Sequence, residues 1–392
     1  MLSHKIQLDP TMKQRQYFAR AAGTSRLVYN WGLEEWNRQY EAGEKPTAMK
    51  LKLQFNAIKY ELFPWLKDIH RDAHSQPFAN LGTAFTNFSQ QRSGRPTFHK
   101  KGLNDAFYVA NDKFRVEWQR IRLPVIGWVR LTENLRFAGR IMSATVRRIA
   151  DRWFVSIQVD VGEFSRSRVA DGVLGIDLGL TSLATLSTGE KIEGPRSLKS
   201  NLKRLRRASR SHSRKQKGSS NKRKSASRLA RIHARISNIR GDFLHKLTTR
   251  LCRENQAIAI EDLAVKNLVR NRKLARGISD ASWGEIRRQL NYKALIFKSV
   301  LKVVDRFFPS SKRCSRCHEI KSDLALSDRV FRCEHCGLEL DRDHNAAMNI
   351  HTEGFSGIDA WGDCGDGAGT VVRRETAVDE PRTKPCIHLC TY

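Results

Sequence analysis

The sequence predicts an α/β chain of several domains, with a small β-barrel interrupted by a helical block and an α/β unit interrupted by a metal-binding ribbon. Three observations predict it. Four cysteines, Cys314, Cys317, Cys333 and Cys336, form two C-x-x-C knuckles with fifteen residues between them. Carboxylates punctuate short apolar strands, Asp177 inside VLGIDLG and Glu261 closing AIAIE. Short strands with alternating pattern fill 97–165, directly after a helical stretch.

Taken in order, HKIQL at 4–8 reads as a strand, and Asp9–Pro10 offers a helix cap and a first helical residue. Two helices follow, with a break expected near Gly23, and Leu33, Trp36 and Tyr40 keep helical spacing. The helical pattern resumes over 48–90, with an interruption at Pro64 and a restart near Asp72. Of Trp31, Trp36, Trp65 and Phe85, most are read as core aromatics. Beyond Ser93-Gly94-Arg95-Pro96 the period changes from helix to strand. Trp153, Val155, Ile157 and Val159 alternate and pair with 141–149 across a turn at Ala150-Asp151. Several such strands suit a small barrel, and HKIQL can supply one of them, which makes the helical block an insertion.

A new unit opens at Asp171-Gly172. Its strands are VLGIDLG, TSLATLST, EKIEG, AIAIEDL and LKVVDRFF (301–308), with a basic loop KNLVRNRKLARG and a helix over 282–298 between the last two. The cysteine ribbon follows, and then DRDHNAAMN, where Asn345, Ala346 and Ala347 open a helix. The last stretch, 354–392, is rich in turn residues without a period and reads as a mobile tail.

Lys and Arg number 71 against 40 acids, a formal charge of +31. Such an excess repels itself unless it meets a polyanion, and phosphate backbones are the usual one. The charge concentrates in 196–250, with 19 Lys or Arg against one acid, Asp242. That stretch also carries an apolar stripe, Leu202 and Leu205 and then Leu229, Ile232, Ile236, Ile239, Phe243 and Leu247, at spacings of three and four. It predicts a helical hairpin with an apolar seam, whose Lys203, Arg204, Arg206 and Arg207 face phosphates. No run of about 18 apolar residues spans a bilayer. MLSHKIQLDP has no apolar stretch like a secretory signal. Cys252, Cys364, Cys386 and Cys390 show no disulfide framework, so a reducing, cytoplasmic setting is expected.

Two knuckles facing each other make a tetrahedral sulfur cage suited to one structural Zn2+. If folding gathers Asp177, Glu261 and Asp343, they form a hard-oxygen site suited to Mg2+. Two such ions could activate a water and stabilise the leaving oxygen of a phosphodiester.

GIDLG, AIEDL and DRDHNAA, with CSRC and CEHC between the last two, resemble the RuvC-type (RNase H-like) nuclease core of the transposon-encoded TnpB proteins. ISDASWGEIRRQLNYKA, RLVYN and DFLHKLTTRL are also similar to TnpB segments, so the resemblance runs from residue 1 to about 353. TnpB proteins are RNA-guided DNA endonucleases related to type V CRISPR effectors and programmed by a transposon-end-derived omega RNA. The resemblance implies a wedge barrel at 1–9 and 97–170 and a helical recognition lobe at 10–96. It implies a RuvC nuclease at 171–310 and 338–353 and a zinc ribbon at 311–337 that binds target nucleic acid. It assigns catalysis and Mg2+ to Asp177, Glu261 and Asp343, preferring Asp343 to Asp341 because the family acid precedes x-N-A-A. RDAHSQPF departs from the family's more frequent A-L-Q pattern and leaves Arg71, Ser75 and Gln76 as candidate readers of a short duplex motif beside the target.

The partners implied are a guide RNA and double-stranded DNA, bound by a monomer in the nucleoid, with no membrane. A non-cleaving RNA-guided regulator is the rival, but decayed family members lack one or more of the three acids. A zinc-ribbon chaperone would leave Asp177 and Glu261 unexplained. A transposase would need strand joining, which no motif here specifies.

Overall fold

A computed structural model describes residues 1–325 and 328–356, which divide into two compact units. The first comprises 1–162 and 215–234. It starts with β1 (Leu2–Asp9). Thr11, rather than Asp9, caps the next helix: its hydroxyl accepts from Gln14 N at 3.4 Å, and Gln14 Oε1 accepts from Thr11 N at 3.0 Å. That helix, α1 (Met12–Glu41), runs unbroken through Gly23, where a break was predicted. An interior glycine costs a helix only about 1 kcal/mol. Burial of Phe18, Ala21, Ala22 and Val28 on either side outweighs it.

The interruption predicted at Pro64 is present, as a 3-10 turn over Pro64–Asp68 between α2 (Ala48–Leu62) and α3 (Asp72–Ser89). Leu33, Phe55, Phe78 and Leu81 form the core of these helices, with Trp31, Trp36 and Phe85 packed against it. Trp65, the fourth of these aromatics, is 40% exposed.

The chain then returns to the sheet through β2 (Ala106–Ala110), β3 (Arg115–Glu117), β4 (Arg120–Leu123), β5 (Gly127–Leu131), β6 (Arg140–Ile149) and β7 (Arg152–Asp160). The order is β2-β6-β7-β1-β5-β4-β3, antiparallel throughout. β1 lies between β7 and β5, so α1–α3 are an excursion from the sheet, as the pattern predicted. The turn between β6 and β7 places Ala150 at φ 56°. Ile6, Leu131, Val146, Val155 and Ile157 share one core with Phe18 of α1. The outer strands of the order, β2 and β3, form no ladder with each other among the described residues.

The second unit comprises 163–214 and 235–356. Its sheet contains β8 (Gly172–Asp177), β9 (Ala184–Leu186), β10 (Lys191–Ile192), and, after α4 (Ser197–Ser213) and α5 (Ser220–Glu254), β11 (Asn255–Glu261). The stretch predicted as a basic loop instead contains α6 (Val265–Leu268) and the start of α7 (Ala275–Ala281). Next come α8 (Trp283–Phe297) and β12 (Val300–Val304), a strand shorter than predicted because Asp305 turns the chain by accepting from Phe307 N at 2.8 Å. β13 (Val330–Arg332), β14 (Glu339–Asp341) and α9 (Arg342–Phe355) complete it.

The sheet order is β10-β9-β8-β11-β12, with β8, β11 and β12 parallel. Ala257–Ile260 are all buried, as expected of a parallel strand covered on both faces. α9 lies against β8 so closely that any side chain at Gly175 would run into the Ala347 carbonyl, which explains the first glycine of GIDLG. The tail predicted over 354–392 starts later than expected, since Gly354 and Phe355 belong to α9, and its remainder from 357 lies outside the described residues.

Candidate functional site

Strand register builds the acidic site. Ile176 pairs with Ile260 in the parallel ladder, so Asp177 and Glu261 end neighbouring strands at the same edge. The carboxyl ends of parallel strands are where open α/β sheets bind ligands. α9 starts at that edge and carries Asp343 in its first turn. Burial first, then the charges of Glu261 and Asp343, push Asp177 up to about 8. Burial also raises Glu261, opposed by the Ser310 hydroxyl, which donates to Glu261 Oε1. The Arg342 guanidinium lies 3.7 Å from Asp343.

The neighbouring acids are committed elsewhere. Asp341 caps α9, accepting from Asp343 N and His344 N, and pairs with Lys191 at 2.7 Å. Burial opposes its ionisation, but Lys191 and these amides outweigh it and hold Asp341 below the usual carboxylate range. Asp262 is gripped by Arg287 and Arg306.

The four predicted cysteine sulfurs lie within 4.8 Å of one another, with Cys314–Cys336 at 3.6 Å and Cys317–Cys333 at 3.5 Å. A tetrahedron of four sulfurs around zinc, with bonds of about 2.3 Å, has sulfurs about 3.8 Å apart, so the donor set and its spacing fit zinc. Among the described residues these cysteines form the group of metal-ligating side chains at coordination range; the three acids interact at a distance without forming such a group.

Two asparagines tie the four-cysteine unit to the acidic edge. Asn345 Nδ2 donates to Arg313 O at 2.7 Å, while its Oδ1 accepts from Ser315 N at 3.0 Å. Asn349 Nδ2 donates to Ser310 O at 2.8 Å and to Arg313 O at 2.6 Å. Both side chains are buried on one face of α9, and they hold the turn that presents Ser310 to Glu261. Sequence reasoning took Asn345 only as a helix opener and missed Asn349 and Ser310. The i, i+4 spacing of the two asparagines beside an acid was the available signal.

The basic residues are distributed as follows. Lys203, Arg204, Arg206 and Arg207 are all exposed on α4. Along α5, Ile232, Ile236, Leu244, Leu247 and Leu251 form the buried stripe, with Ile239 and Phe243 only half-buried. Arg71 and Ser75 line a concavity of about 350 Å3 with Lys52, Lys59 and Lys67, whereas Gln76 lines another beside Arg26 and His99. The sheet of the first unit also presents exposed Arg115, Arg120, Arg122 and Arg130, with Arg120 stacked 4.6 Å over Trp128, a basic and aromatic face that sequence reasoning did not single out. No helix among the described residues is long and apolar enough to cross a membrane.

A family model described as "Probable transposase" matches residues 156–272, and one described as "Cas12f1-like, TNB domain" matches 283–350. A "Helix-turn-helix domain" model matches 1–45, a segment that here folds as one strand and one long helix. A protein of Streptomyces pristinaespiralis named "Putative RNA-guided DNA endonuclease" is 39% identical, over 93% of this chain and 90% of its own length. One of Escherichia coli (strain K12) with the same description, InsQ, is 35% identical, over 90% of this chain and 92% of its own. The chain of a Cas12f1–sgRNA–target DNA complex superposes with a TM-score of 0.55 at 14% identity, covering 87% of this chain and 83% of that one. The fold is therefore the multidomain α/β class of the Cas12f1 chain. Within that class, this protein belongs to the TnpB family.

Proposed function

We propose that the protein is an RNA-guided DNA endonuclease of a transposable element, cutting DNA beside a short duplex motif by metal-dependent phosphodiester hydrolysis. The observation that carries this reading is the juxtaposition of Asp177, Glu261 and Asp343, from three distant parts of the chain, at one edge of a parallel sheet. Burial and the charges of Glu261 and Asp343 raise the proton affinity of Asp177, and Arg342 lies beside Asp343, a surrounding that matches the needs of a divalent cation.

Asp177, Glu261 and Asp343 would hold two Mg2+ ions, which supply an activated water and charge stabilisation for the leaving oxygen. Ser310 fixes the rotamer of Glu261 through its hydroxyl. Asp341 sets the start of α9 and so aims Asp343 at the same edge. The four cysteines would hold one Zn2+ as a structural ribbon over 311–337, and Asn345 and Asn349 would transmit its position to Ser310.

We assign 1–9 and 97–170 to a wedge domain, 10–96 to a recognition lobe containing the motif readers Arg71, Ser75 and Gln76, and 171–310 with 338–353 to the nuclease. The exposed cations of α4 and of the sheet face would grip guide RNA through phosphates, leaving sequence to base pairing. The protein would act as a monomer with its RNA in the nucleoid. The test is to purify the protein with its nucleic acid, sequence the bound RNA, and assay plasmid cutting in Mg2+. A discrete RNA from a transposon end, and cutting that RNase treatment removes, are expected. Cutting by RNA-free protein would refute the reading.

A further inference from the structure

We propose that a concavity between the loop leaving Asp177 and α7 holds one unpaired nucleotide of the DNA strand that is to be cut. The inference rests on the endonuclease reading and adds a substrate subsite to it.

The concavity, about 560 Å3, falls within the range of about 300–1,000 Å3 typical of small-molecule sites. Its apolar wall comes from Leu180 and Leu183 of the β8–β9 loop, Leu202 of α4, and Leu274 beside α7. Leu180 and Leu274, both in this wall, are 42% and 44% exposed. Its rim is cationic. Lys199, Lys273 and Arg276 line it, and none of the three forms an ion pair among the described residues. Arg196, by contrast, is spent on Thr181 O and Glu193. Asp280 is the one carboxylate in the lining, and it is consumed internally. It accepts from Leu198 N, Lys199 N and the Ser197 hydroxyl, and it pairs with Arg240 at 3.1 Å. That clamp fixes α7 to the start of α4 and keeps the hollow open without adding a free negative charge.

A leucine-walled hollow under three uncommitted cations complements a nucleobase flanked by phosphates. A base enters such a hollow only when it is unstacked and unpaired, which excludes intact duplex. The occupant is the strand being cut because of position. Gly179 and Leu180 lie two and three residues after Asp177, and Thr185 of β9 pairs with Asp177 across the ladder, so a nucleotide seated here is held on the segment that carries the acid.

The test uses the reconstituted protein–guide RNA complex and single-stranded target DNAs, each with one abasic position walked along the strand. In the wild-type complex one position, at a fixed offset from the cut, should raise KM about tenfold, through the lost burial of the base's apolar faces against the leucines. Gly277→Leu should plug the hollow, because a Cβ at Gly277 points at Leu180 Cδ2, 3.4 Å away. That variant should raise KM for intact DNA and lose the further abasic effect. A second variant, K273A with R276A, should raise KM and flatten its salt dependence while preserving the abasic offset. Wild-type cutting that is indifferent to abasic position overturns the subsite, as does an abasic effect that persists in Gly277→Leu. Loss of guide RNA affinity in both variants would assign the hollow to RNA and also overturn it. A wild-type complex that cuts none of the DNAs overturns the endonuclease reading itself.

Discussion

The sulfur cluster and the carboxylate trio of the second unit, both proposed to hold metal, are assembled in opposite ways. The four thiols come from two tight turns, each supplying a pair, and stand 3.5–3.6 Å apart within each cross-pair. The three acids come from two strand ends and a helix start, and they remain at electrostatic rather than coordination range. Local turns bring the four sulfurs together within short stretches of chain, whereas the carboxylates are brought together only by the sheet and α9. The thiol site is therefore nearly self-assembled, whereas the carboxylate site depends on its whole domain. Asn345, Asn349 and Ser310 connect the two, so the self-assembled site helps to hold the dependent one.

The largest expected effect comes from the acids. Asp177→Ala, Glu261→Ala or Asp343→Ala should reduce DNA cutting to background while guide RNA binding, measured by filter retention, stays at the wild-type level. Asp341→Ala should instead lower thermal stability through loss of the cap, by about 1 kcal/mol. If Asp341→Ala abolishes cutting and Asp343→Ala does not, the roles within DRD are reversed.

Next comes the sulfur cluster. Elemental analysis should find about one zinc per chain, and Cys333→Ser should release it and reduce cutting together, because Glu261 loses its Ser310 partner when the knuckle loosens. Retention of full activity without zinc would separate the two sites and dissolve the comparison. Ser310→Ala isolates the link itself. A hydrogen bond to a charged group contributes about 1.5–3 kcal/mol, so a loss of roughly tenfold or more in kcat is expected with zinc content unchanged.

The repulsion among the acids has its own signature. Burial, then Glu261 and Asp343, lift Asp177 from 3.8 to about 8, so between those values the folded state binds the extra proton. With chelator present, stability contributed by that proton should be full at low pH and should fall as pH rises to about 8. Melting temperatures across that window should show a downward slope that Asp177→Asn flattens. A slope identical in wild type and variant would deny the carboxylate its role. The smallest effect is expected on α4. Replacing Lys203, Arg204, Arg206 and Arg207 should weaken guide RNA binding and reduce the log–log salt slope by roughly one per lost phosphate contact.

The same contrast explains what could be read from the chain. The cysteines were legible because their ligand geometry is encoded within a few residues. The place of β1 in the sheet and the β6–β7 hairpin were legible from period-2 alternation and a turn. The unbroken α1 was not, because the burial that carries the helix through Gly23 comes from Phe18 packing on Phe107 and Trp153, both remote in sequence. The acid trio was legible only through family resemblance, since no local spacing relates Asp177 to Glu261 or Asp343. Ser310 and Asn349 escaped altogether, because a serine before a knuckle and an asparagine in a helix acquire meaning only when tertiary structure brings them to Glu261 and to the knuckle's carbonyls.

Whether a three-acid site cuts where a guide RNA directs it is measured most directly with two plasmids that differ only in the target beside the same short motif. Each is incubated in Mg2+ with the protein and either a matched or a swapped guide. Double-strand cutting is expected only in the matched pairs, with the cut moving when the guide's terminal segment is exchanged. Cutting of both plasmids regardless of guide, or cutting without RNA, would contradict an RNA-guided three-acid nuclease.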